Sequence, residues 1–405
     1  MIQHTATKIK QKQIIDDYET GDFFLASPNR TLLGKGIFAQ VPTIHEIDTN
    51  KKSSLSQRVK TALNEAENKG YQNPYVVGAI PFNPEHPDYL IIPKQMTVSM
   101  PLQHDAIETK GTSSPSVIDL QSIPQTAQYV HNVNQGIELI KNGQLDKIVL
   151  ARALHVTASK AIEITPLLRQ LAAHNSAGYT FSVDLSHSSK DTSNKAKTLI
   201  GASPELLVSK SGNHLTANPL AGSRPRSADP LEDQRRAHEL LHSSKDLHEH
   251  AVVVENVADI LRPFCEKLEV PETPSLVQTE TMWHLSTEVK GIVADDQTTS
   301  LDVAVALHPT PAVCGSPTEA ARQAITEIEP FDRSFFTGML GWCSANGDGE
   351  WIVTIRCAEV DGQEMRLFAG AGIVEESQAQ LELAETAAKF RTMLLALGLD
   401  DELSI

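Results

Sequence analysis

Two turn signals in the last quarter of the chain restrict its architecture more than any other feature. Asn346-Gly347-Asp348-Gly349 separates the apolar run Phe335 to Cys343 from Trp351 to Val360, and Asp361-Gly362 separates the latter from Glu364 to Phe368. Asn-Gly and Asp-Gly supply the positive φ angles of tight hairpins, so the strands on either side run antiparallel. Parallel neighbours would need a crossover of about a dozen residues or more, which these turns do not provide. No Gly-x-Gly-x-x-Gly or P-loop opens a helix after a strand. The expected class is α/β (α+β): a single large domain of mainly antiparallel sheets with outer helices.

Earlier segments fit the same class. Phe23 to Ala26 and Thr31 to Val41 flank the turn residues Ser27-Pro28-Asn29-Arg30, Ser56 to Lys69 reads as a helix stopped by Gly70, and Tyr75 to Ile80, Leu90 to Pro93 and Met96 to Met100 read as strands. Thr109 to Pro124, rich in Ser, Thr, Gly and Pro, reads as a linker. It divides an N-terminal sheet-and-helix part over 1–108 from a second region over 125–400. Beyond it, strands are expected over Lys147 to Val156, Ala177 to Leu185, Leu199 to Ser209, Leu215 to Pro219 and Leu285 to Val293. Helices are expected over Gln125 to Asn142, Thr165 to His174, Pro230 to His242, Leu247 to Phe264, Ser300 to Leu307, Pro317 to Ile328 and Gln378 to Leu397. The polar run Ser186 to Lys197 reads as a surface loop.

Composition bounds the partners. With 405 residues and a net charge of -16, the chain lacks the basic footprint that nucleic acid or an acidic membrane requires. The polar start Met1-Ile2-Gln3-His4-Thr5 and the lack of any run of membrane-spanning length make the expected location cytoplasmic. Cys265, Cys314, Cys343 and Cys357 show no Cys-x-x-Cys spacing, so the thiols are expected reduced and zinc is not expected.

Several stretches carry possible chemistry. Leu367 to Val374 reads as a strand entering a small-residue turn at Gly370-Ala371-Gly372, where exposed N–H groups would seat an anion. Glu382, Glu385 and Lys389 follow at helical spacing and would share a face, either towards that seat or as an ordinary solvated ion pair. Lys147 shares a strand face with Val149 and Ala151, where desolvation would favour the neutral base; an exposed edge lysine is the alternative. Glu205 follows Pro204 and precedes an apolar run, a setting that would raise its pKa and keep the proton for a general acid; an exposed turn residue is the alternative. His248-Glu249-His250 opens a helix, and since residues two apart do not share a helix face, only one of the three can reach a site. Glu249 with Glu385 would give two oxygen ligands suited to Mg²⁺. Read within a strand, Thr354, Arg356 and Ala358 share a face with room for Arg356 to hold a carboxylate or a structural salt bridge.

Together these stretches resemble the chorismate-utilising enzymes, the family of isochorismate, salicylate, anthranilate and aminodeoxychorismate synthases. The matching motifs are Asp146 to Arg152, Gly201 to Leu207, Pro219 to Arg226, Lys245 to Glu255, His308 to Pro317, Phe331 to Trp342, Trp351 to Ala358 and Leu367 to Val374, in family order over about the last two thirds of the chain. The resemblance implies the anthranilate synthase component I-like, chorismate-binding fold. Lys147 stands where aminating members carry glutamine, and Ala221 where aminodeoxychorismate synthase carries a nucleophilic lysine, so water is the implied nucleophile. Carried over by position, Lys147 would activate a water for attack at C2 of chorismate and Glu205 would protonate the departing C4 hydroxyl. Glu249 and Glu385, with Glu382 in the outer shell, would hold Mg²⁺ at the ring carboxylate. Arg356 and the backbone of Gly370, Ala371 and Gly372 would anchor the enolpyruvyl carboxylate, and Gly222, Ser223 and Lys389 would lie near the ring carboxylate.

Within the family the residues resemble an isochorismate synthase of the siderophore (2,3-dihydroxybenzoate) type, on Ala312, Val313 and Phe336. Salicylate synthase, which shares the lysine and both glutamates, is the first alternative, and a non-catalytic chorismate-binding subunit is the alternative of another class. The expected partner is chorismate, the expected state a monomer, and contact with a downstream isochorismatase is an expectation of the pathway.

Overall fold

The computed structural model describes residues 13–43, 54–109, 117–186 and 197–399. Met1 to Thr5, the middle of the expected linker (110–116) and most of the expected loop (187–196) lie outside the described residues.

Strands buried on both faces along most of their length organise the fold. The first strands are β1 (Phe23–Ala26), β2 (Thr31–Gln40), β3 (Tyr75–Ile80), β4 (Tyr89–Ser99), β5 (Val117–Ile123), β6 (Lys147–Ala158), β7 (Tyr179–Asp184), β8 (Lys197–Ser203), β9 (Leu206–Ser211) and β10 (His214–Asn218). They are followed by β11 (Leu220–Pro225), β12 (Cys265–Glu269), β13 (Ser275–Gln278), β14 (Met282–Ser286), β15 (Val289–Val293), β16 (Gly315–Ser316), β17 (Met339–Ser344), β18 (Gly349–Val353), β19 (Cys357–Asp361) and β20 (Glu364–Ile373). The helices are α1 (Leu55–Asn68), α2 (Thr126–Lys141), α3 (Ile164–His174), α4 (Pro230–His242), α5 (Ser244–Leu261), α6 (Ser300–Leu307), α7 (Thr318–Ile328) and α8 (Ala379–Ala396).

All described pairings are antiparallel. They form one continuous run, β5-β6-β20-β19-β8-β7-β1-β2, then β4-β3-β17-β18-β9-β10-β15-β12. The run curls on itself. Phe23, Leu25, Phe181 and Phe368 from the first half pack against Val77, Leu340, Trp342 and Ile352 from the second. Helices cover the outer faces: α1, α5 and α6 on one half, α3 and α8 on the other, and α2 and α7 over the start of β6. A small second sheet, β11-β14-β13, lies beside α4 and α5. Both C-terminal hairpins are present as their turn residues require. The class is thus mixed α/β, with one large curled antiparallel sheet and helices outside. No described helix is long and apolar enough to cross a membrane.

Four local expectations are corrected. Val117–Ile123, expected within a linker, is strand β5 on β6. Leu90 to Ser99 lies in one strand, β4, despite Pro93, because β3 pairs β4 only from Tyr89 to Ile91 and the missing N–H lies beyond that ladder. Leu199 to Ser209 is broken at Pro204-Glu205, and Trp351 to Val360 is broken between Val353 and Cys357. Both breaks face the same region of the fold, and both carry expected site residues.

Candidate active site

Lys147 begins β6 and is fully buried. Its side of the strand is the expected one: Ile148 and Leu150 go outward under α2 and α7, while Ala151 and Ala153 join the interior cluster. Between its pairings with β16 and β5, one edge of β6 is open, and a buried ion pair occupies it. Arg333 Nη2 donates to the Val149 carbonyl at 2.7 Å, Glu329 Oε1 accepts from the Ala151 N–H at 2.7 Å, and the two side chains bond each other at 2.6 and 2.8 Å. Side chains here do what a neighbouring strand does elsewhere, so the backbone beside Lys147 keeps its hydrogen bonds.

Three carboxylates gather nearby, each held by an ammonium. Glu249 Oε1 lies 3.0 Å from Lys147 Nζ, Glu385 lies 2.6 Å from Lys389, and Glu382 lies 2.6 Å from Lys245. Burial alone would raise the Glu249 carboxyl, but Lys147, Lys245 and Lys389 outweigh it and hold the pKa below the ordinary value. Glu382 goes the other way, to about 7, through burial and the neighbouring Glu385 charge. Burial opposes the charge of Lys245, yet Glu382, Glu249 and Glu385 together raise its pKa. Of the two histidines beside Glu249, His248 is exposed, and His250 donates from Nδ1 to the Ala221 carbonyl and accepts at Nε2 from Thr287. Only Glu249 of that triplet faces the site, as helix geometry requires.

Glu249 and Glu385 line a cavity of about 630 Å³, its open mouth included, together with Glu205, Ser223, Arg356 and Lys389. Gly222, Ala312, Val313 and Phe336 also line it, whereas Lys147 and Glu382 do not. Lys147 sits behind the Glu249 carboxylate, and Glu382 is turned to Lys245. Two cavity-lining carboxylates are an oxygen donor set that suits Mg²⁺, a cation that keeps several waters and needs few protein ligands. Among the described residues no three of His, Cys, Asp and Glu close into a ligand set.

Arg356 contradicts the strand-face reading. It sits in the break between β18 and β19 with φ of 50°, so its direction follows from the break and not from alternation. Its guanidinium is buried without a carboxylate partner among the described residues. Nη1 donates to Thr392 Oγ1 at 3.4 Å and Nη2 to His284 Nε2 at 3.1 Å. Burial lowers its pKa to about 10, which leaves it charged at neutral pH. Because guanidinium only donates, His284 Nε2 is the bare acceptor, and Nδ1–H donates to Ser223 Oγ at 2.8 Å. Burial, with Arg356 and Lys389 nearby, keeps this imidazole neutral. His284 was missed by sequence reasoning, since the expected strand began one residue later and a lone histidine beside Trp283 carries little signal. Gly222 precedes Ser223 with φ of 78°, and a Cβ there would come within 3.2 Å of the Asp246 carbonyl, so only glycine lets β11 pass this close to α5.

The stretch Gly370-Ala371-Gly372 is strand, not turn: all three residues pair with β6. Gly370 faces Ala151 and Gly372 faces Val149, whose N–H groups bond Glu329 and the Cys314 carbonyl instead. These are the non-hydrogen-bonded pairs of the ladder, which leaves the backbone of both glycines directed away from β6. Lys389 Nζ accordingly reaches the Gly370 carbonyl at 2.8 Å. Ala371 is corrected: it belongs to the hydrogen-bonded register, and its methyl packs outward with Leu150 and Ile373.

Glu205 lies in the break between β8 and β9. Ser203 Oγ donates to the Val353 carbonyl at 2.6 Å and accepts from the Glu205 N–H, so the two strand breaks brace each other. Burial raises the Glu205 pKa from 4.5 to about 7, against the Leu220 N–H and the Lys147 and Lys389 charges, which lower it. A carboxylic acid and a lysine–carboxylate pair therefore flank one cavity that also holds a carboxylate-free arginine.

Comparison with known proteins matches residues 93–398 to the family of chorismate binding enzymes. The chain is 54% identical to isochorismate synthase DhbC of Bacillus subtilis (strain 168) over 98% of its own length and 99% of that protein. It also matches the crystal structure of DhbC from Bacillus anthracis, with a TM-score of 0.88 at 54% identity, covering 95% of this chain and 99% of that one. Anthranilate synthase component I from Streptococcus pneumoniae TIGR4 shares the fold, with a TM-score of 0.68 at 21% identity over 95% and 94% of the two chains.

Proposed function

This chain belongs to the family of chorismate binding enzymes, and from that membership we propose that it is an isochorismate synthase supplying 2,3-dihydroxybenzoate siderophore synthesis. The observation that carries the reading is one cavity lined by Glu205, whose pKa burial raises to about 7, and by Glu249, behind which Lys147 sits close enough for its charge to act on the acid. Lys147, once its own proton has passed to solvent and left the neutral amine, takes the proton of a water that attacks C2 of chorismate, and Glu205 gives its proton to the leaving C4 hydroxyl. Arg356, oriented by His284, pairs with the enolpyruvyl carboxylate. Lys389, Ser223 and the backbone of Gly222, which line the same cavity, would receive the ring carboxylate.

Glu249 and Glu385 would hold Mg²⁺, with Glu382 in the outer shell. The ion would neutralise the ring carboxylate and polarise the substrate. Since Glu249 stands between Lys147 and the cavity, drawing its carboxylate onto a cation would open the way from the lysine to a substrate water. Excess EDTA is expected to stop turnover and added Mg²⁺ to restore it; undiminished rates in EDTA would refute the metal site. A cytoplasmic monomer in contact with an isochorismatase completes the reading, checked by light scattering alone and with that enzyme.

Gly372→Ala tests the close approach of strand and carboxylate. A methyl there collides with Glu249 Oε1 and comes within 3.1 Å of Lys147 Cε. Displacing the pair by about an ångström should cost roughly 10²-fold in kcat/KM with circular dichroism unchanged. A rate within twofold of the parent would show that the pair does not need its observed placement.

The deciding experiment is incubation of purified protein with chorismate and Mg²⁺ without ammonia, with products identified by chromatography and NMR. Isochorismate without pyruvate supports the proposal. Salicylate with equimolar pyruvate would make the protein a salicylate synthase, and bound but unchanged chorismate would make it a binding subunit.

A further inference from the structure

Behind the site, on the outward face of β6, lies a second arginine that the proposed chemistry does not use. Arg152 is fully buried, and among the described residues it has no carboxylate partner. Its guanidinium sits between the rings of Tyr129 and Phe390, 5.8 and 5.3 Å from their centroids. Nε donates to Thr386 Oγ1 at 2.8 Å, Nη1 reaches Ser122 Oγ only at 3.4 Å, and Nη2 has no acceptor. A buried, unneutralised charge with an unmatched donor is a poor way to stabilise a core, and an apolar chain of the same volume would pack there at least as well.

Its contacts are more informative than its cost. Thr386 and Phe390 are four residues apart on α8, and each directly follows a residue of the site, Glu385 and Lys389. At about 100° per residue the stripe that touches Arg152 is one step round the helix from the stripe that faces the cavity. Apolar contact alone tolerates sliding and rotation of a helix, whereas a hydrogen bond and two ring faces are directional. Thr386 is itself committed, donating to the Leu383 carbonyl at 2.8 Å, so its oxygen presents a lone pair to the guanidinium.

We infer that Arg152 is a positioning residue: by gripping Thr386 and Phe390 from β6 it sets the rotation of α8 so that Glu385 and Lys389 face the substrate cavity. The inference rests on the proposed function for its kinetic readout only. Three variants test it: Arg152→Met, Thr386→Val, which keeps the side-chain shape but removes the hydroxyl that accepts from Arg152 and donates to Leu383, and Thr386→Ser, which keeps that hydroxyl. Each would be measured for kcat/KM on chorismate, for the Mg²⁺ concentration at half-maximal rate and for thermal midpoint, with a crystal structure of Thr386→Val.

Arg152→Met and Thr386→Val should each lower kcat/KM by about tenfold or more and raise the Mg²⁺ midpoint similarly. The thermal midpoint of Arg152→Met should not fall. Thr386→Ser should stay within twofold of the parent in both kinetic parameters, a rescue that loss of packing would not give. If Arg152→Met does not fold, Thr386→Val decides. Parent-like kinetics in Thr386→Val overturn the inference, as does a structure of that variant in which Lys389 Nζ still bonds the Gly370 carbonyl. If the parent protein leaves chorismate unchanged, the functional reading fails, and the structure of the variant still decides the role of Arg152.

Discussion

Lys147→Ala is expected to lower kcat by about 10²–10⁴-fold, the usual contribution of a positioned general base. Lys147 is the ammonium 3.0 Å from Glu249, so the substitution also strips one of three cations from a buried carboxylate. Removing one member of a buried pair costs roughly 3–5 kcal/mol where nothing replaces it, and Lys245 and Lys389 remain to moderate that loss. The variant should therefore fold, with a lower midpoint, and bind chorismate without converting it. Lys147→Met separates the two effects, because it restores the buried volume without restoring a base. Turnover in either variant within tenfold of the parent would remove Lys147 from the mechanism.

Glu205→Gln should be comparably inactive and yet more stable at alkaline pH. Its folded pKa of about 7 lies above the ordinary 4.5, so the native state binds the proton more tightly than the unfolded chain. The stability this proton confers is complete below pH 4.5 and is lost as pH rises through 7. Above that range the ionised, buried carboxylate costs on the order of 3 kcal/mol, and glutamine, which does not ionise, escapes it. Denaturant midpoints at pH 5 and pH 8 check this: the variant should gain on the parent only at the higher pH. The parent's kcat/KM should fall above about pH 7 as the acid loses its proton. If that limb persists unchanged in a Glu205→Gln protein of measurable activity, another group supplies it.

Much of the site was legible because its chemistry is written in short windows. Lys147 shares its face with Val149 and Ala151 through simple strand alternation, and that alternation held along β6. Helical spacing likewise allowed only one of His248, Glu249 and His250 to reach the site, which in the structure is Glu249, and put Glu385 and Lys389 on one face. Spacing failed where a strand breaks. Thr354 to Arg356 looked like continuous strand, yet the backbone turns at Arg356 and sends the guanidinium into the cavity, and Gly370 to Gly372 looked like a turn but is paired throughout. An apolar run does not reveal whether a partner strand lies beside it.

The sequence by itself determined the antiparallel pairing of the C-terminal strands, the residues that share a strand face with Lys147 and the motif order shared with the chorismate-utilising enzymes. Turn residues, alternation and motif order act over a few neighbours at a time, so they survive without knowledge of the fold. Only the tertiary structure decided that Glu249 stands between Lys147 and the cavity, that neutral His284 links Ser223 to Arg356, and that Arg152 grips α8 from behind. Those relations join residues from distant strands and helices, and they exist only once the curled sheet has closed and desolvated the groups it brings together.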